Sequence, residues 1–322
     1  MKRHKICKII FAILAVFLCV AFYELIGICV TYKKQPAVSD ATIKETQNIM
    51  SVAGRENTER AVIIEKNSQA LLERVRLIQN AKDEIILSTF AFKSDESGKL
   101  ILGALHDAAD RGVHVRILVD GMESWIDMEG NPYFYGLSSH ENVEIKLYNK
   151  ANPLKPWKTM GRMHDKYLIA DGKIYILGGR NTYNYFLGDF PGHKNFDRDV
   201  LVVCDEPQKD NSVNQLWNYF ETIWEQEDCR YFHNSKKLAD RQSVKKAVLE
   251  LQEGYQQYFE VNKEKICDTD YADETFETEK ITLLSNPIHT QAKEPVVWYQ
   301  LGELMKNAKE RVKIHTPYII CN

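Results

Sequence analysis

The segment Met163–Asn181, MHDKYLIADGKIYILGGRN, leaves its stretch of chain little conformational freedom. Met163–Ala170 and Lys173–Leu177 are apolar, β-prone runs, and Asp171-Gly172 between them is a strong two-residue hairpin signal. A tight hairpin fixes register, and register fixes which side chains share a face. Because strand side chains alternate, His164 and Lys166 project from one face. That pairing has a chemical use: an ammonium binds and neutralises a phosphate while a neutral ring nitrogen attacks phosphorus. Gly178-Gly179 lets backbone approach an oxyanion closely, and Asn181 offers an amide donor there. Taken singly, each has a plainer reading: a packed histidine, a turn-forming aspartate, a glycine pair ending a strand.

The hairpin belongs to a longer alternation of strands and helices that starts at Ala61. Leu71, Leu72, Val75 and Ile78 recur at helical spacing after a Ser68 cap. Glu84–Phe92 is a strand, Leu100–Arg111 a helix stopped by Gly112, and Val113–Asp120 and Val143–Tyr148 are further strands. Ser212–Glu227 puts Val213, Leu216, Trp217, Phe220 and Trp224 on one helical face, where the tryptophans are core. Such alternation predicts an α/β layered domain with much of its sheet buried. An apolar content of 44% with 27% charged residues excludes collagen-like, low-complexity and broadly disordered chains. The seven cysteines contain no Cys-x-x-Cys pair, so neither a zinc cage nor a disulfide framework is expected.

Ile9–Val30 is a run of 22 residues whose only charge is Glu24. As a helix it would span about 33 Å, close to the hydrocarbon thickness of a bilayer. Lys2, Arg3, Lys5 and Lys8 precede it, whereas only Lys33 and Lys34 follow closely. The positive-inside rule then places the N-terminus in the cytoplasm and the rest of the chain outside it. A cleavable signal peptide competes with this single-pass anchor, but its apolar region is normally shorter, and Gly27-Ile28-Cys29 fits a cleavage site poorly. The net charge of −3 hides a basic stretch, 146–180, with eight basic residues against Asp165 and Asp171. A solvated surface run would also look like this, but its overlap with the His-Lys pair favours an anionic ligand. The acidic remainder disfavours nucleic acid as a partner.

Together the hairpin residues form His-x-Lys-x4-Asp-x6-Gly-Gly-x-Asn, which resembles the HKD signature of the phospholipase D superfamily. Phe196-Asp197-Arg198-Asp199 followed by VLVV resembles the element that cardiolipin synthase-like members place after the motif, and Pro317-Tyr318 resembles the opening of their second half. The resemblance covers roughly residues 61–322. It implies a mixed sheet flanked by helices and a phosphodiesterase or phosphatidyltransferase working through a covalent phosphohistidine, without metal or cofactor. It casts His164 as nucleophile or, with roles exchanged, general acid. Lys166 and Asn181, with Gly178 and Gly179, would hold the phosphate, Asp199 would fix the imidazole tautomer, and Asp171 would chiefly shape the hairpin.

The sequence holds one copy of this motif. Asn80–Thr89 aligns with Asn307–Thr316 at an offset of 227 residues, which would put a second histidine near position 391, past Asn322. His193-Lys194 and His315 do not complete a second motif. The expected organisation is a basic flank and anchor (1–34), a polar tether (35–60), the motif-bearing domain (61–230), a helical, acidic connector (231–280) and the truncated start of a second repeat (281–322). A missing C-terminal segment is the preferred source of the second half, a homodimer partner the other; an inactive chain is the remaining reading. The expected substrate is a phospholipid headgroup, with water or an alcohol as acceptor. A nuclease and a non-catalytic lipid-binding module are the alternatives.

Overall fold

A computed structural model describes residues 2–51, 58–233 and 235–314. In chain order the elements are α1 (Lys2–Tyr32), α2 (Asp40–Ser51), β1 (Glu59–Ile64), α3 (Asn67–Asn80), β2 (Glu84–Thr89), α4 (Glu96–Asp110), β3 (His114–Asp120), α5 (Gly121–Asp127), α6 (Pro132–Ser138), β4 (Val143–Tyr148), β5 (Lys166–Ala170), β6 (Ile174–Gly178), β7 (Asp199–Cys204), α7 (Ser212–Trp224), β8 (Cys229–Tyr231), α8 (Gln242–Ile266), β9 (Phe276–Glu277) and α9 (Val296–Asn307). Among the described residues one nine-stranded sheet runs in the order β8-β4-β3-β2-β5-β6-β7-β1-β9. Strands β2, β3 and β4 are parallel, and β5 enters antiparallel to β2. The expected α/β layering is what forms.

Alternation along the strands sorts the core into two layers. Ile85, Leu87, Val115, Ile117 and Leu168 join the cluster made with α3, α4, α6 and α8. Ile86, Leu118, Tyr167, Ile169 and Val202 join the opposite one, made with α7. Both faces of the sheet are therefore covered, as parallel strands require.

Several boundaries differ from the sequence reading. Helix α3 begins at Asn67, so Ser68 lies inside it and no side chain caps it. Strand β5 begins at Lys166, not Met163, because its neighbour β2 ends at Thr89, directly opposite Lys166. His164 thus precedes the regular strand. The 231–280 segment closes the domain: Val244, Ala247, Leu251 and Tyr255 of α8 are buried. Gly103 of α4 permits this closeness, since a Cβ there would lie 2.6 Å from the Leu251 carbonyl oxygen. A single apolar stripe on a long polar helix gives a weak signal, which is why the segment reads as a connector. In the expected tether, α2 forms, with Ser39 Oγ accepting from Thr42 N–H at 3.2 Å. Residues 308–314 join no strand, and His315, Thr316 and Pro317-Tyr318 lie outside the described residues. Helix α1 is long and apolar enough to cross a membrane, and none of its most apolar stretch is buried against protein.

The hairpin turn is built as its sequence demands. Asp171 and Gly172 take φ of 53° and 60°, and Lys173 N–H donates to Ala170 C=O at 3.0 Å, the geometry of a type I′ turn. The Asp171 carboxylate accepts from the backbone N–H groups of Lys82, Asp83 and Glu84 at 2.8–3.2 Å, tying the turn to the start of β2. Asp171→Ala leaves those donors without their acceptor and should destabilise the domain by about 1–3 kcal/mol in chemical unfolding. Asp171→Asn, which tolerates positive φ and keeps one acceptor oxygen, should cost clearly less.

Candidate active site

Antiparallel entry of β5 puts its first residue beside the carboxyl end of β2, the edge of an open α/β sheet where ligands gather. Asp120 ends β3 at the same edge. Its carboxylate is buried and accepts from Met163 N–H at 3.1 Å and Arg162 Nε at 2.9 Å. It also caps α5 through Met122 N–H and Glu123 N–H. These bonds pin the two residues immediately before His164, although no strand holds them.

His164 and Lys166 line one cavity of ≈ 420 Å³, together with Asp165, Tyr219, Gly178 and Lys293. His164 is exposed at its mouth, with the Phe90 ring 4.5 Å away between centroids. Phe90 is a common platform: the Lys166 ammonium is 5.2 Å and the Arg162 guanidinium 4.9 Å from its centroid. Partial burial, then the positive charges of Lys166 and Arg162, hold the His164 imidazole below its ordinary pKa, against a smaller opposing pull from Asp120. At neutral pH the ring is therefore uncharged and keeps a lone pair. Lys166 is 6% exposed and donates to the His164 carbonyl oxygen at 2.7 Å. Burial lowers its pKa to about 8, although Asp165, Asp197 and Asp120 work the other way. Asp165, shielded by burial, is raised, and accepts from Tyr219 OH at 2.9 Å.

The remaining expected residues fall in different places. Asp171 occupies the far end of β5 and belongs to the turn. Asp199 does not touch His164: its Oδ2 pairs with Arg74 at 2.9 Å and Arg180 at 3.3 Å, all three buried. Its Oδ1, without a hydrogen bond, occupies the place a Cβ on Gly178 would take. The expected tautomer-holding role is thus not the one this geometry gives Asp199, because two guanidiniums claim its charge. The glycine pair admits carboxylates: at Gly179 the Cβ position is filled by the Asp197 carboxylate. Gly178 lines the cavity while Gly179 does not. Asn181 is buried, and its Oδ1 accepts from Ala91 N–H at 3.2 Å, so its NH2 group is the end available to donate.

Asp197, to which the sequence alone gives no role, is one of the carboxylates whose charge acts on Lys166. Asp120 was legible as the last residue of an apolar strand, where a carboxylate is out of place. Arg162, Phe90 and the Asp165–Tyr219 pair carry no sequence signal, since their meeting depends on strand order. The basic stretch 146–180 is also less free than its sum suggests. Arg180 faces Asp199, Arg162 pairs with Asp120 and Glu123, and Lys158 pairs with Asp228. Among the described residues no cluster of histidine, cysteine and acidic groups could hold a metal ion.

Comparison with known proteins bears on this constellation. Residues 75–224 match the family described as cardiolipin synthase, PLD-like domain. An uncharacterized protein of Helicobacter pylori is 27% identical over 292 residues, covering 82% of this chain and 55% of its own length. Cardiolipin synthase C of Escherichia coli is 29% identical over 154 residues, 44% of this chain and 31% of that protein. The chain therefore spans about half or less of the length of these relatives. Among solved structures, the phospholipase D family member Nuc from Salmonella typhimurium is 21% identical, covering 56% of this chain and all of its own, at a TM-score of 0.39.

The titration of His164 checks the electrostatics directly. Its imidazole resonances should titrate with a midpoint below 6.5 by NMR, and Lys166→Met should move that midpoint upward by removing the neighbouring positive charge.

Proposed function

We propose that the chain is a cardiolipin synthase-like member of the phospholipase D superfamily and that it cleaves or transfers a phosphodiester of phospholipid headgroups through His164. The observation that carries this reading is the pairing, in one cavity, of an imidazole kept neutral with an ammonium kept charged. The neutral ring nitrogen attacks phosphorus as the bond to the leaving oxygen breaks, giving a phosphohistidine. The Lys166 ammonium and the Asn181 amide meet the non-bridging oxygens as charge develops on them. A proton for the leaving alkoxide comes from a second histidine, brought by a further segment or a second copy of the chain. Water or an alcohol then attacks the phosphohistidine and releases His164. An α1 anchored in the bilayer holds the cavity close to its substrate and raises the effective concentration.

The test is turnover of labelled phosphatidylglycerol by the reconstituted full chain, alone and with a protein supplying a second motif, against DNA as the competing substrate. His164→Ala should abolish product, whereas turnover unchanged by that substitution would refute the mechanism, and turnover of DNA alone would select a nuclease. The pH profile has a set shape. Activity should rise through a pKa below 6.5 as His164 loses its proton, and fall above about 8 as Lys166 loses its own.

A further inference from the structure

Helix α1 has more length than a bilayer core requires. The stretch able to cross is His4–Tyr32, 29 residues, or about 43 Å of helix against roughly 30 Å of hydrocarbon. After Lys8 its only charge is Glu24, next to Tyr23. With Lys5 and Lys8 reaching back to the headgroups, about 20 residues from His4 cover the hydrocarbon, which puts Tyr23 and Glu24 at the onset of the polar boundary, where tyrosine and tryptophan rings concentrate. At this level a loop of the catalytic domain meets the helix. Tyr23 OH donates to the Leu154 carbonyl oxygen at 2.9 Å, and the Tyr23 and Trp157 rings meet edge to face at 5.2 Å. The Trp157 ring also fills the place of a Cβ at Gly27. At the end of the helix, Tyr32 OH donates to the Thr290 carbonyl oxygen at 2.9 Å.

That loop, KANPLKPWKTM from Lys150 to Met160, has no acidic residue. Leu154 is 77% and Met160 63% exposed, although both are large and apolar. Lys150 and Lys155 line an open cavity of ≈ 560 Å³ with Lys158 and Arg230, against Glu227 and Asp228. Only Lys158 of the three loop lysines is held by an ion pair among the described residues, to Asp228 at 3.1 Å. Exposed apolar side chains with lysines around them, at the depth where α1 leaves the hydrocarbon, match a bilayer surface rather than water.

We propose that residues 150–160 form a second membrane contact: Leu154 and Met160 enter the acyl-chain boundary of the bilayer that holds α1, and Lys150 and Lys155 seat on anionic headgroups. This rests on the reading of α1 as a membrane anchor. Its consequence is positional. Met160 and His164 are four residues apart, so their Cα atoms are within about 14 Å, and the cavity mouth is held at headgroup level.

The experiment uses the full chain reconstituted in vesicles, with its accessible native cysteines replaced and a single environment-sensitive fluorophore attached through Leu154→Cys, Met160→Cys, Val16→Cys or Leu249→Cys. Leu249 is exposed on α8 and serves as the water-facing reference. Labels at 154 and 160 should shift to the blue and be quenched by lipids carrying a nitroxide near the headgroup, with the label at 249 unquenched. The label at 16 should respond to a nitroxide deep in the chains. Combined Lys150→Glu and Lys155→Glu should remove most of the shallow quenching in phosphatidylglycerol vesicles and leave it unchanged in phosphatidylcholine. Quenching at 154 and 160 no greater than at 249, with 16 still quenched, would overturn the proposal and leave the anchor standing. A blue shift without quenching by either lipid would overturn it too, and assign the loop to a protein contact. An unquenched label at 16 would remove the anchor, and this inference with it.

Discussion

The antiparallel pairing of β5 with β2 decides where every group of the site can be. Lys166 is held opposite Thr89 at the carboxyl end of β2, and the residues before it run beyond the sheet. They are fixed instead by side chains, through Asp120 at the end of the adjacent β3. His164 emerges from that clamp beside Phe90, close to Lys166 but outside the ladder. The other end of β5 is pinned by Asp171 to the start of β2. A slip of one residue in this register would exchange the faces of β5 and carry Lys166 to the other side of the sheet.

The electrostatics follow from that placement. Partial burial, helped by two nearby cations, keeps the imidazole neutral, and burial brings the Lys166 ammonium toward neutrality without reaching it at pH 7. The proposed chemistry needs an unprotonated nucleophile and a protonated phosphate clamp at the same pH: burial and Lys166 lower the imidazole, while Asp165, Asp197 and Asp120 oppose the burial that lowers the ammonium. The acidic groups nearby have separate duties. Asp120 orders the chain, Asp165 meets Tyr219, and Asp199 balances Arg74 and Arg180 in the core. Without Asp199, two buried guanidiniums would face each other unpaired.

Much of this was legible in the sequence, in proportion to how local each feature is. The Asp171-Gly172 turn and Val143–Tyr148 as a strand depend on neighbours in the chain, and both form as read, while His164 and Lys166 line one cavity although His164 precedes the strand. The layered α/β fold was legible for the same reason. The place of Asp199 was not, since Arg74 approaches it from 125 residues away. Nor was the start of β5, which depends on where a different strand ends. The glycine pair suggests room for a ligand's oxyanion, whereas the protein's own Asp197 and Asp199 fill the two Cβ positions. Charge summed along 146–180 overstated what a ligand would feel, because a sum cannot register ion pairs formed with Asp120, Asp199 and Asp228.

The proposed attack by a neutral His164, assisted by Lys166, is separable from the source of the second histidine. An aryl phosphodiester with a p-nitrophenolate leaving group needs no general acid, because that anion departs without a proton. Mixed with the full chain at pH 7 and followed by stopped flow, it should release a burst of one nitrophenolate per active site. Rapid quenching should leave the phosphoryl adduct on the peptide containing His164. A burst that persists in His164→Ala, or an adduct on any other residue, would contradict the account.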